Sequence, residues 1–408
     1  MDSIFFHIDV NSAFLSWSAV HKLKQGDTVD LRQIPSIIGG DIQRRHGVVL
    51  AKSVPAKAFH IHTGEPIVNA LKKCPFLTIE PPNHALYENY SSMLMDYLSN
   101  ISPDLEKVSI DECFMDFTPI ACNYENPVQA ATKIKDAIYE KFGFTVNIGI
   151  SNRKVLAKMA SDFQKPNLVH TLFDYEIAQK MWPLPVSSLY MCGKSSVETF
   201  KKLGILTIGD LAGANLDIVT SHLKSHGQLL WEYANGIDNS VIENEPYELK
   251  GIGNSITLTK DAETREDAFR TLLSLTETVC ARLRNANQSA GMVSTEIKYN
   301  TFQSVSHQMT LKTPSNTNET IYKTACTLFD ELWNGTPIRL LGIRTSKLVS
   351  KDEPIQMNLF DMPITTENVP SAKQTKLDAA IDSIRQKYGN SAVVRASLLS
   401  HPDEFTKH

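Results

Sequence analysis

Residues 108–117, VSIDECFMDF, set Asp111 directly beside Glu112 inside a run whose other members mostly belong in a buried sheet. Successive side chains of a regular strand point to opposite faces, so adjacent carboxylates diverge unless the strand bends or ends there. A site that uses both therefore lies at the edge of a sheet, where a third carboxylate can come from the end of a neighbouring strand. Asp9, closing the run IFFHIDV, is the candidate. Three carboxylates with no nearby histidine make a ligand set for Mg²⁺, a hard cation that prefers oxygen and keeps places for water and phosphate. A solvated hairpin turn with an unrelated aspartate accounts for the Asp-Glu pair on its own terms.

The flanking pattern alternates. IFFHIDV reads as a strand, FLSWSAVHKLKQ as a helix, GVVLAKSV as a strand, and PIVNALKKC and NYSSMLMDYLSNI as helices. LEKVSIDECFMDF is a strand or strand pair, NPVQAATKIKDAIYEKFG an amphipathic helix ended by Gly143, and FTVNIGIS a strand entering the helix NRKVLAKMASDF. This order gives an α+β or α/β core. From about residue 170 to 240 short helices with glycine turns take over, and residues 250–347 return to α+β. Residues 348–375 have the Pro, Ser, Thr and acidic composition of a linker. Beyond them TKLDAAIDSIRQKYG places Leu377, Ala380, Ile381, Ile384 and Tyr388 on one helical face.

A chain of 408 residues exceeds one core and implies two to four domains. No apolar run approaches the roughly 20 residues that span a bilayer, and the N-terminus lacks a signal peptide's basic start, so a cytoplasmic protein without membrane partners is expected. The six cysteines are scattered with no CxxC pair, which argues against a disulfide framework or structural zinc. A net charge of −4 weighs mildly against nucleic-acid binding. Residues 250–347, however, carry twelve Lys and Arg against nine Asp and Glu, so a local basic region exists.

In this order and spacing, HIDVNSAF, VSIDECFMDF, NIGISNRKVLAKMASDFQKPN and MCGKSSVETFKKLGILTIGDLA resemble the Y-family translesion DNA polymerases over about residues 3–347. That group contains DNA polymerase IV and the catalytic subunit of polymerase V, and DVNSAF, AKAF and MNLF look closer to the latter. The resemblance implies an α+β multidomain, right-hand polymerase. Palm and fingers would occupy residues 1–170 (fingers about 18–79), a helical thumb 171–240 and an α+β little finger 245–347. A linker with a clamp-binding peptide at 348–375 and a helical tail at 376–408 would follow.

The implied activity is low-fidelity, template-directed DNA synthesis past lesions in a damage response, with two Mg²⁺ ions; no segment resembles a proofreading exonuclease. Asp9, Asp111 and Glu112 would be catalytic metal ligands together with the Val10 carbonyl. Ala13 and Phe14 would face the triphosphate from a helix start, where anions are favoured. Phe14 would also be the steric gate against a 2′-hydroxyl; a core aromatic is the plainer alternative. Lys57 and Lys165 match basic residues that hold the incoming triphosphate. Many members carry tyrosine and arginine where Val54 and Lys57 stand, and lysine lacks arginine's bidentate fork.

Lys194, Lys201 and Lys202, with backbone N–H groups of a glycine-turned helix whose inward residues are Val197, Phe200 and Leu203, would hold a DNA backbone without reading sequence. Gln356, Leu359 and Phe360 resemble the bacterial sliding-clamp-binding peptide. Primer-template DNA, dNTP, the sliding clamp and an accessory mutagenesis subunit are the partners the resemblance implies. The rivals are a catalytically silent homologue acting as a binding platform, which should have lost palm carboxylates, and a palm-type nucleotidyl cyclase, which leaves the helical segment and the clamp-like peptide unexplained.

Overall fold

A computed structural model describes residues 3–41, 47–244, 248–350 and 372–398. The chain divides at residue 246 into two compact units. In the first, strand β1 (Phe5–Val10) leads to α1 (Ala13–Lys24), β2 (Ser36–Gly39), β3 (Val49–Lys52), α2 (Val54–Lys57), α3 (Ile67–Lys73) and β4 (Thr78–Glu80). Then come α4 (His84–Ser99), β5 (Leu105–Lys107), β6 (Glu112–Asp116), α5 (Pro127–Phe142), β7 (Val146–Ser151), α6 (Lys154–Ser161) and β8 (Val169–Thr171). Five strands form one sheet in the order β5-β6-β1-β7-β8.

Period-two alternation separates the faces of this sheet. Phe6, Ile8 and Val10 pair across with Met115, Cys113, Ile150, Ile148 and Val146, and together they bury against Trp17 of α1, Leu94 of α4 and Ile134 of α5. The opposite face carries Phe5, His7 and Asp9 beside Phe114, Glu112, Gly149 and Asn147, and α6 lies on it. A Cβ at Gly149 would stand 2.0 Å from the Ala157 carbonyl oxygen and 2.4 Å from the Ser161 nitrogen. Only glycine lets the helix backbone come this close.

Three departures from the sequence expectation have simple causes. Strands β2, β3 and β4 form a small separate sheet over a core of Ile37, Val49, Ile61 and Ile67; β2 and β4 are too short to show alternation. Helix α4 begins at His84 rather than Asn89, because the Asn83 side chain accepts from the Leu86 N–H at 3.1 Å and caps it. The short β8 pairs parallel to β7 and carries no pattern of its own.

After β8 come α7 (Ile177–Lys180), α8 (Lys194–Lys202), α9 (Ile208–Ala212) and α10 (Leu216–Ala234), the last kinked at Lys224. Phe200, Ile208, Leu211 and Leu230 pack with Val155, Leu156 and Met159 of α6. Of the three α8 residues expected inward, Phe200 is buried while Val197 and Leu203 are half-buried.

The second unit holds β9 (Gly251–Ala262), α11 (Arg265–Asn285), β10 (Gln288–Tyr299), β11 (Ser304–Ser315), α12 (Asn318–Leu332), β12 (Ile338–Ser350) and α13 (Ala372–Tyr388). An antiparallel sheet, β11-β10-β12-β9, shares a core with α11 and α12 through Leu272, Val279, Leu328 and Phe329. Helix α13 does not dock by its apolar stripe: Leu377, Ile384 and Tyr388 are exposed. Its polar side is the one engaged. Asp378 is fully buried and accepts from the Asn318 N–H at 3.0 Å, Asp382 pairs with Arg284 at 2.5 Å, and Arg385 reaches Glu277 at 2.9 Å. The six cysteines are free, and no described helix is long and apolar enough to cross a membrane.

Candidate active site at the β1–β6 edge

Strand β6 begins at Glu112, and Asp111 ends the turn that precedes it. The N–H groups of Val108 and Ser109 both donate to the Glu112 carbonyl, at 3.1 and 3.2 Å, closing a tight β5–β6 hairpin. The pair thus sits at a hairpin turn, but a half-buried one. Asp9 stands directly opposite Glu112 on one side and Asn147 on the other, so Glu112, Asp9 and Asn147 form one row on the α6 face. Asp111 lies one step past the row, its carbonyl accepting from the Val10 N–H at 3.0 Å and its carboxylate from the Ser109 hydroxyl at 2.7 Å.

Two lysines meet this row. Lys158 of α6 donates to Glu112 at 2.6 Å. Lys165, on the loop after α6, donates to Asp9 and, at 2.8 Å, to Asp162. The Glu112 carboxyl is lowered to about 2, first by the His7 ring and then, against the cost of burial, by Lys158. His7 Nε2 is 3.3 Å from Glu112 Oε2 but makes no well-aligned hydrogen bond. Burial lowers the imidazole's own pKa, so Lys158 is the neighbour that brings charge. The Asp111 carboxyl is pushed up by burial and by the charges of Asp9 and Glu112, with Ser109 opposing. Burial works against both ammonium groups, yet the surrounding carboxylates hold Lys158 and Lys165 above the ordinary lysine value.

These carboxylates suit a hard divalent cation in donor chemistry, since all are oxygen donors and they already gather two cationic side chains. As they stand, each is turned to its own lysine or serine, and among the described residues no three His, Cys, Asp or Glu side chains surround a common point. The expectation of a site without a nearby histidine needs correction. His7 is fully buried, with Nδ1 2.8 Å from the Ser161 hydroxyl. Its position two residues before Asp9 placed it on the same strand face. Lys158, seven residues before Lys165 in KVLAKMASDFQK, was also overlooked, as was Asn147.

At this same end of β1, just beyond Asp9 and Val10, α1 starts at Ala13, which is buried, and Phe14, which is half-buried. The N-cap Ser12 has φ 49° and ψ 53° and its side chain makes no capping hydrogen bond, so the first turn of α1 carries no side-chain cap. The Phe14 ring stacks on Tyr87 with centroids 4.4 Å apart and packs edge-on to His84. Lys57 is exposed at the end of α2, and among the described residues no ion pair joins it to the carboxylates. Lys194 opens α8 and Lys201 and Lys202 close it, all three exposed. Gln356, Leu359 and Phe360 lie outside the described residues.

Residues 8–162 match the impB/mucB/samB family model, and residues 249–359 match the model of that family's C-terminal domain. The chain is 45% identical over 404 residues to a DNA polymerase IV of Clostridium acetobutylicum, covering 99% of this chain and 100% of that one. It is 35% identical to the DNA polymerase IV of Alkaliphilus oremlandii, over 98% of this chain and 100% of the relative. With DNA polymerase IV 1 of Bacillus subtilis it shares 32% identity, over 99% of this chain and 95% of the relative. A chimeric Y-family DNA polymerase superposes with a TM-score of 0.74 at 21% identity, covering 85% of this chain and 99% of that one; this likeness concerns the fold. The relatives named here are polymerase IV proteins, so the leaning toward the polymerase V subunit has no support among them.

Proposed function

We propose, from the premise that this chain belongs to the Y family of DNA-directed DNA polymerases, that it carries out translesion synthesis in a damage response by two-metal nucleotidyl transfer at the β1–β6 edge. The observation that carries this reading is the cross-strand pair Asp9–Glu112 with Asp111 at the adjoining turn. Asp9, Asp111, Glu112 and the Val10 carbonyl would hold two Mg²⁺ ions, which when bound favour an ionised primer 3′-hydroxyl and stabilise the leaving pyrophosphate. The other groups bind and orient. The uncapped first turn of α1 offers the Ala13 and Phe14 N–H groups to phosphate oxygens, while Lys57 and Lys165 neutralise the triphosphate. Phe14, held flat against Tyr87, closes the space beside the sugar C2′.

In this reading residues 1–170 are palm and fingers, 171–240 the thumb and 245–347 the little finger. Lys194, Lys201 and Lys202 contact the DNA backbone. The peptide with Gln356, Leu359 and Phe360 binds the sliding clamp, which raises effective concentration at the primer without new DNA contacts. An accessory mutagenesis subunit is a further partner for assay. The test is primer extension with Mg²⁺ on templates carrying an abasic site or a thymine dimer. Nucleotides should be added opposite and beyond the lesion; arrest before it, alongside normal extension on undamaged template, would remove the translesion role.

A further inference from the structure

Resting on the reading of Lys165 as a triphosphate ligand, we propose that Asn147 is the positioning residue for Lys165. Asn147 is fully buried in the middle of the sheet, between the apolar Val146 and Ile148. An amide there is costly unless every polar atom is paired. All of them are: Nδ2 donates to the carbonyls of Ser161 at 3.1 Å and Gln164 at 2.6 Å, and Oδ1 accepts from the Leu168 N–H at 3.2 Å and from Asn11 Nδ2 at 3.1 Å. Two donors and two acceptor positions exhaust what an asparagine offers.

Two of those bonds go to the loop that carries Lys165, and the one to Ser161 holds the end of α6 from which that loop leaves. Gln164 precedes the lysine and Leu168 follows it. Asn11 holds the same loop from its other side, Oδ1 accepting from the Asn167 N–H at 2.9 Å and from the Thr145 hydroxyl at 2.9 Å. Asn147 is also the residue directly opposite Asp9. One strand position therefore registers the loop against the row that bears the carboxylates, and the Lys165 ammonium comes to rest on Asp9. A hydrophobic residue at 147 would fill the strand equally well, remove the bond to the Ser161 carbonyl and leave the Gln164 carbonyl to the His170 ring at 3.1 Å alone, so the lysine would lose its bearing on the triphosphate.

Single-nucleotide insertion with the full chain compares Lys165→Met, Asn147→Thr and the double variant. Lys165→Met should raise KM for dNTP about tenfold, the loss of one charge-assisted contact. Asn147→Thr should raise KM by a similar factor and change kcat by less than about threefold. The double variant should be no worse than Lys165→Met, because a residue acting through another shows no separate effect once that partner is gone. Effects that multiply in the double variant, an unchanged KM in Asn147→Thr, or a fall in kcat alone would each overturn the assignment. Should Asn147→Thr not fold, Asn11→Ala releases the loop at Asn167 and is read in the same cycle with Lys165→Met. An unchanged KM in Lys165→Met would instead refute the triphosphate reading itself, and the positioning role would fall with it.

Discussion

Glu112 keeps its charge because Lys158 stands 2.6 Å from it in a half-buried site, with His7 alongside. Its carboxyl is lowered to about 2 from an ordinary 4.5. A carboxyl depressed on folding stabilises the native state fully above its unfolded value, and that contribution drains away as pH falls through the folded value. Glu112→Gln should therefore cost about 2 kcal/mol at neutral pH, allowing for partial exposure, and less at about pH 3.5; urea unfolding at both pH values measures it. A cost that grew on acidification would contradict the pairing. Asp9, Asp111 and Glu112 could be read from motif and spacing, because strand ends and adjacent carboxylates are local features. His7 could not, because its partners Ser161 and Glu112 lie far away in sequence; Asn147 could not, because its bonds to Ser161 and Gln164 go to backbone carbonyls, which no residue pattern marks. The face shared by His7 and Asp9 was the one available clue.

Helix α6 carries Lys158 over the row, and the glycine in NIGIS sets its depth. Gly149→Ala would drive a methyl into the Ala157 carbonyl, so α6 must lift from the sheet. The cost should be about 3 kcal/mol or more and extension should fall, because Lys158 and the Lys165 loop move with the helix. Thermal unfolding together with primer extension checks both, and a neutral substitution would contradict the close approach. Most helices were readable from periodicity and caps, including the end of α5 at Gly143, which has φ 84°. The docking side of α13 was not, because buried charge pairing outweighs an apolar stripe here. Asp378, Asp382 and Arg385 recur at helical spacing and find Asn318, Arg284 and Glu277 on the second unit, partners that no single-helix pattern announces.

Across the whole molecule, the order of α+β, helical and α+β segments was readable because each has its own periodicity, and the two compact units part close to the change of pattern at residues 240–250. The proposed clamp-binding peptide would tie the chain to a partner. Removing Gln356 to Phe360 should reduce synthesis only on templates loaded with clamp; equal loss without clamp would contradict its role. The central claim is that the β1–β6 edge is where nucleotidyl transfer happens, and Asp111→Asn tests it most directly. Burial and the charges of Asp9 and Glu112 already push the Asp111 carboxyl up, so a neutral amide there does not burden the fold and chemistry can be separated from stability. Primer extension with Mg²⁺ by this variant should fall roughly a thousandfold or more while its unfolding midpoint stays at or above that of the wild type. Extension near the wild-type rate would contradict the account.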